Sequence, residues 1–176
     1  METTALETDR LILAKPLLED AEAIYRNYAR DPDVTRYVMW KPHVSVDETI
    51  IFVNLCLNNW EMGNHLTWCI REKESGGLIG MIHLIMDATK ADFGYVLMKS
   101  RWGRGLMTEA LRRVVEFAFT HDAIYRVWGI CDVDNAASAR VMEKTGLTRE
   151  GVLRKFAVHP NISDVPRDVY VYSIVR

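Results

Sequence analysis

Residues 101–110 read RWGRGLMTEA, and this run constrains the fold more than any other part of the chain. The apolar stretch ADFGYVLM (91–98) precedes it and reads as a strand. An amphipathic run follows over about 106–120, with Met107, Ala110, Leu111, Val114, Val115 and Ala118 on one helical face. A strand that ends in two glycines one residue apart and opens into a helix is a strand–turn–helix unit. The first amides of such a helix lack partners and carry partial positive charge. Gly103 and Gly105 have no side chain to shield that backbone, so a phosphate oxygen can approach it. Arg101 and Arg104 add charge beside it. The run is a candidate pyrophosphate cradle, although two glycines in a turn are ordinarily only a turn. The third glycine of a dinucleotide fingerprint is missing, and the unit comes late in the chain.

Composition sets the remaining bounds. A chain of 176 residues, 49% hydrophobic and 26% charged, suits one domain, 1–176, with one sizeable core. Its 22 basic and 24 acidic residues leave a net charge of −2, without the basic excess of a nucleic-acid binder. Cys56, Cys69 and Cys131 are far apart and odd in number, which suits a reduced, cytoplasmic chain better than a disulfide framework. The five histidines show no metal-ligand spacing, so no metal is expected. The opening Met1-Glu2-Thr3-Thr4 is acidic, and no run is long enough for a membrane span or patterned as a signal peptide.

The chain punctuates itself clearly. Residues 6–14 read as a first strand, 18–30 as a helix stopped by Asp31-Pro32-Asp33, and 34–44 as irregular. Ser45 opens a capping box with Glu48, predicting a helix to Met62 that stops at Gly63. Strands at 65–72 and 78–86 flank Ser75-Gly76-Gly77, a hairpin signal. Glu109 and Arg113 are spaced as an i,i+4 pair. A strand at 125–133, a helix capped by Asp134 or Asn135 and ended by Gly146, and strands at 147–158 and 168–175 complete the chain. The loop from His159 to Arg167, with two prolines, reads as a mobile connector.

The segment 134–147, DNAASARVMEKTGL, follows the glycine turn at the distance of one helix and one strand, and 3–4 spacing puts Asn135, Ser138 and Met142 on one face. With TDRLIL, GLIGMIHL, ADFGYVL, WGRGLMTEAL, REGVLR and DVYVYSIV, it makes nearly the whole chain resemble the GNAT superfamily of acyl-CoA-dependent N-acetyltransferases. The nearest branch is the Rim type, which acetylates ribosomal-protein N-termini. The resemblance implies an α/β fold with a mixed, mostly antiparallel sheet of about seven strands flanked by about four helices. It implies acetyl-CoA as co-substrate and an amine acceptor. Dimers are common among such enzymes, so a homodimer is allowed, though no contact surface is legible.

Carried over position by position, the pyrophosphate loop falls on Trp102, Gly103, Arg104, Gly105, Leu106 and Met107. Trp102 replaces the usual Gln or Arg, and Met107 the usual Gly or Ala. Backbone groups around Leu97 and Met98 are implied to hold the pantetheine arm, and Asn135 to contact the cofactor. Asp92 stands where the Rim-type branch has its catalytic glutamate and is the candidate base. Met142 takes the place of a family tyrosine acid and cannot donate a proton, and Ser138 is the candidate to bond the leaving thiolate. Tyr37, Trp40 and His83 are candidates for the acceptor cleft. The chemistry needs a neutral amine, and an α-amine with pKa about 8 loses its proton more readily than a lysine at about 10.4. That favours a protein or peptide N-terminus. Small amines (polyamine, amino acid or antibiotic) are the alternative acceptors, and acyl-CoA binding without catalysis is a further one.

Overall fold

The computed structural model describes residues 5–176, so the acidic opening at Met1–Thr4 lies outside the described residues. Eight strands form one sheet: β1 (Leu6–Glu7), β2 (Leu11–Ala14), β3 (His65–Glu72), β4 (Leu78–Asp87), β5 (Lys90–Leu97), β6 (Arg126–Asp132), β7 (Thr148–Ala157) and β8 (Arg167–Val175). Their order is β1-β2-β3-β4-β5-β6-β8-β7. Every pairing is antiparallel except β5 with β6. The helices are α1 (Ala21–Ile24), α2 (Pro32–Thr35), α3 (Val46–Met62), α4 (Leu106–Phe119) and α5 (Ala136–Thr145). The α/β class and mostly antiparallel sheet match the expectation, with one more strand and one more helix.

The extra elements have local causes. The first strand is broken at Thr8, whose hydroxyl and amide close a turn with Leu11 before β2 begins. The helix expected over 18–30 is a 3₁₀ turn at Leu18–Asp20, then α1, then a π turn at Tyr25–Ala29. Pro32 stops that run and also starts α2, because a proline suits the first helical position and Asp31 caps it by accepting from Asp33 N at 2.9 Å. The predicted Glu109–Arg113 pair does not form. Glu109 turns to Arg10 instead, and Arg113 approaches Glu116 at 3.8 Å. Carboxylate and guanidinium find better hydrogen-bond geometry in the tertiary contact than along the exposed helix.

Helices α4 and α5 cover one face of the sheet. The predicted apolar stripe of α4 is buried there together with Leu106, against Ala91, Phe93, Leu97, Val127, Cys131 and Tyr172. The other face is covered by α1, the π turn after it, α2 and α3 over β3, β4 and the end of β5, through Ile24, Tyr28, Val53, Cys56, Cys69, Leu78 and Met81, with Val34 and Val96 packed against them. Among the described residues, none of β6, β7 or β8 contributes to this cluster. Among the described residues, no helix is long and apolar enough to cross a membrane, and no group of three or more His, Cys, Asp or Glu side chains is placed to hold a metal.

Candidate active site

The parallel pair β5–β6 is the structural key. It is in register only at Lys90↔Arg126, Ala91↔Val127 and Asp92↔Trp128, after which the strands part. Beyond that point β5 still pairs with β4, and β6 with β8, so a wedge opens inside the sheet. Met98 N donates to Ile79 O at 2.8 Å, which sets the antiparallel alternation along β5. By that alternation Val96, Gly94 and Asp92 bond to β4, while Phe93, Tyr95 and Leu97 turn their N–H and C=O groups into the wedge. Gly129 makes room for the Phe93 ring there, since a Cβ on it would lie 2.6 Å from Phe93 Cζ.

The period of two divides the candidate groups between faces. Tyr95 points to the α4/α5 face, where its hydroxyl meets Ser138 Oγ at 2.8 Å. Ser138 stands in the first turn of α5, whose cap is Asn135: Asn135 Oδ1 accepts from Ser138 N at 3.1 Å. Asp92 points to the opposite face with Gly94 and its cross-strand neighbour His83. The His83 ring lies over Gly94, 2.6 Å from where a Cβ would stand. Asp92, at the mouth of the wedge, and Ser138 therefore lie on opposite faces of the sheet.

Burial shapes the titration of both sides. Desolvation is the largest influence on Asp92 and raises its pKa; Asp87 adds to the rise, while a backbone hydrogen bond and Lys90 oppose it. His83 is pushed down to about 4 by burial, helped by the neighbouring His65, and is neutral at physiological pH. Burial raises the Tyr95 phenol well above its ordinary value, so it stays protonated. Cys131 is pushed up to about 12, first by burial and then by Asp132, with a hydrogen bond to Ser138 in opposition. It is a packed thiol rather than a thiolate.

The glycine turn precedes α4 as expected. Gly103 and Gly105 both have φ of +75°, which favours glycine. Gly105 is the N-cap of α4 and offers no side-chain acceptor, so the amides of Leu106, Met107 and Thr108 are not capped. A Cβ on Gly103 meets nothing within 4 Å, so the backbone of the turn is accessible. This open, amide-lined turn fits a pyrophosphate. The Leu106 and Met107 side chains are buried in the core, so these residues offer the site backbone amides only. Asn135 has a carboxamide nitrogen without a hydrogen bond among the described residues.

Other expectations are narrowed. Both backbone groups of Met98 are engaged, its N–H with Ile79 O and its C=O with Arg101 N, which leaves only its side chain for a ligand. The carbonyl of Leu97 accepts from the Trp102 indole at 2.7 Å, so its N–H is the group left facing the wedge. Trp102 thus braces the strand end instead of substituting for a polar first residue. Arg101 is committed to Glu72 at 3.0 Å, whereas Arg104 is exposed. Met142 is fully buried core.

The acceptor candidates separate. His83 lies beside Asp92, as described. Tyr37 reaches across to Asp134 O at 3.4 Å, next to the α5 cap. Trp40 packs with the α1–α3 cluster and stacks obliquely on His43 at 5.2 Å, so it is structural at least in part. The His159–Arg167 loop is anchored at two points. Asn161 Nδ2 donates to Thr35 O at 2.6 Å and Trp40 O at 2.8 Å, and Arg167 holds both Asp132 and Asp134. His159, 3% exposed, lies 3.5 Å from Asp132. The segment carrying Tyr37 is therefore pinned by a loop more than 120 residues away in sequence. Neither Asn161 nor the Tyr95–Ser138 contact was singled out from sequence. The strand alternation places Tyr95 opposite in sense to Asp92, and that was the available signal.

A family model described as an acetyltransferase (GNAT) domain matches residues 10–148, and the chain belongs to this family of N-acetyltransferases. The uncharacterized N-acetyltransferase YoaA of Bacillus subtilis (strain 168) is 32% identical, over 97% of this chain and 96% of the relative. Among solved structures, the microcin C7 self-immunity acetyltransferase MccE, in complex with acetyl-CoA and AMP, superposes with a TM-score of 0.86 at 24% identity, covering 96% of this chain and 94% of that one. RimL, a ribosomal L7/L12 α-N-protein acetyltransferase in complex with CoA, gives 0.87 at 20% identity, covering 97% of each chain. At these identities, the two likenesses establish a shared fold.

Proposed function

We propose that this chain, acting as one domain, transfers acetyl directly from acetyl-CoA to the α-amine of a protein or peptide N-terminus. The observation that carries this reading is the wedge between β5 and β6, with Asp92 on one side of the sheet and the Tyr95–Ser138 pair on the other. Two reactants can meet in such a gap from opposite faces, each without crossing the other's path. The binding of CoA or acetyl-CoA by RimL and MccE supports the donor. The face of β6–β8, which contributes nothing to the α1–α3 cluster, leaves room for a polypeptide acceptor.

Acetyl-CoA supplies an activated acetyl thioester, and the protein supplies the proton handling and the placement. Asp92, as carboxylate, accepts the proton of the incoming ammonium, directly or through a water. The free amine then attacks the carbonyl carbon, the C–N bond forms and the C–S bond breaks, and the second amine proton passes to the departing thiolate, directly or through a water, to leave the amide and the CoA thiol. Leu97 N–H, facing the wedge, is placed to stabilise the oxyanion. Ser138 Oγ, oriented by Tyr95, hydrogen-bonds the departing sulfur. The amides after Gly103 and Gly105 and the free carboxamide nitrogen of Asn135 are the groups that would hold the cofactor's polar arm.

The test is thiol release from acetyl-CoA across peptides with varied first residues, polyamines, free amino acids and aminoglycosides. Turnover with peptides and a dependence on the first residue is the expected result. Turnover confined to small amines would overturn the peptide assignment, and acetyl-CoA binding with no turnover would favour a sensing role.

A further inference from the structure

Arg10 lies between β1 and β2, far in sequence from the glycine turn, yet its side chain is bound into it. Nη1 donates to Arg104 O at 3.0 Å. Nε and Nη2 meet Glu109 Oε2 at 2.7 and 2.6 Å, and the Arg10 amide donates to Glu109 Oε1 at 2.9 Å. Thr8 bonds the same carboxylate. A Cβ on Gly105 would lie 3.7 Å from Arg10 Nη2, so the guanidinium rests against the turn itself. These contacts bear on the turn in two ways.

The first is orientation. A trans peptide unit points its C=O and N–H in opposite directions. Holding Arg104 O toward Arg10 aims the Gly105 N–H away from Arg10, and one plane of the turn is thereby fixed before any anion arrives. The second is charge. Glu109 stands in the first turn of α4. Burial pushes its pKa up, but the hydrogen bonds from Thr8 and Arg10 outweigh that and hold it below the ordinary value, so it is ionised at neutral pH. An unpaired carboxylate there would repel a pyrophosphate, and Arg10 cancels it. Half of the Arg10 side chain stays exposed.

We propose that Arg10 is the positioning residue of the pyrophosphate turn, orienting the Arg104–Gly105 peptide and neutralising Glu109 so that CoA is received. This rests on the acetyl-CoA reading above. The experiment is calorimetric titration of CoA into the wild type, Arg10→Gln, Arg10→Lys and the double variant Arg10→Gln/Glu109→Gln, with a melting curve for each. Loss of a charge-assisted contact predicts CoA binding about tenfold weaker in Arg10→Gln. Arg10→Lys keeps the charge but cannot span Glu109 and Arg104 O together, so it falls between that variant and the wild type. Removing the stranded carboxylate in the double variant recovers part of the loss. In kinetics, KM for acetyl-CoA rises while KM for the acceptor is unchanged. CoA binding by Arg10→Gln equal to wild type, even with a lowered melting temperature, would overturn the proposal, because the role would then be structural only. If Arg10→Gln does not fold, Arg10→Lys carries the same decision. A wild type that binds no CoA would overturn the acetyl-CoA reading itself, and this proposal with it.

Discussion

Asp92, the base proposed above, is a side chain whose ionised form the fold does not favour. Its pKa is raised in the fold, so the protonated form is the one the fold favours. Its stabilising contribution is present below the ordinary value and is lost as pH rises through the raised one. At neutral pH the ionised group is a cost to the fold. Asp92→Asn is expected to raise the melting temperature at pH 7 slightly, lower kcat and remove the acidic limb of the pH–rate profile, while CoA affinity is unchanged. Wild-type turnover in that variant would remove Asp92 from the mechanism. Tyr95→Phe deletes a hydroxyl that bonds Ser138, and a neutral hydrogen bond of about 1 kcal/mol predicts roughly a fivefold loss in kcat. A matching loss in Ser138→Ala, with no further loss in the double variant, shows that the two act as one unit.

At the scale of elements, the proposed acceptor side depends on pieces that packing alone brings together. The α2 segment is held through its carbonyls at Thr35 and Trp40 by Asn161, from the loop between β7 and β8. Asn161→Ala frees both carbonyls, and the expected result is a raised KM for the acceptor with CoA binding intact. Steady-state kinetics with each substrate varied in turn separates these effects. The wedge is an element-scale property too. Gly129→Ala forces the Phe93 ring to move by the length of a bad contact, because a Cβ there stands 2.6 Å from Cζ. Lower stability by about 1–3 kcal/mol, the usual penalty of overpacking, is expected in denaturant melts.

For the whole molecule, the acid response follows from its histidines. His43, His65 and His83 all have lowered pKa values, in each case chiefly through burial. The fold thus favours their neutral forms. The stability they contribute is complete above their ordinary value of 6.5 and is lost as pH falls toward the value of about 4 for His83. Melting temperature should therefore decline across that window, and His83→Gln should flatten its lower part. A melting temperature that is level from pH 7 to pH 4 would contradict the burial described for all three.

Much of this was legible in the chain itself, and the reason is periodicity and punctuation. The stripe of α4, the Ser45 cap and Gly63 stop of α3, and the Asn135 cap of α5 are local arrangements whose energies depend on neighbours within one or two turns. The glycine turn was legible for the same reason, since a positive φ and an open helix start are set by a few adjacent residues. The limits of local reading appear where partners are distant. The partner of Glu109 is decided by contacts across about a hundred residues, which no spacing rule contains. The engagement of the Met98 amide by Ile79 depends on where β5 meets β4. Sequence determined which residues can cap, turn and ionise, and which turn is the candidate anion cradle. Only the tertiary structure decided which face of the sheet each one serves, because the wedge between β5 and β6 exists only once eight strands have paired.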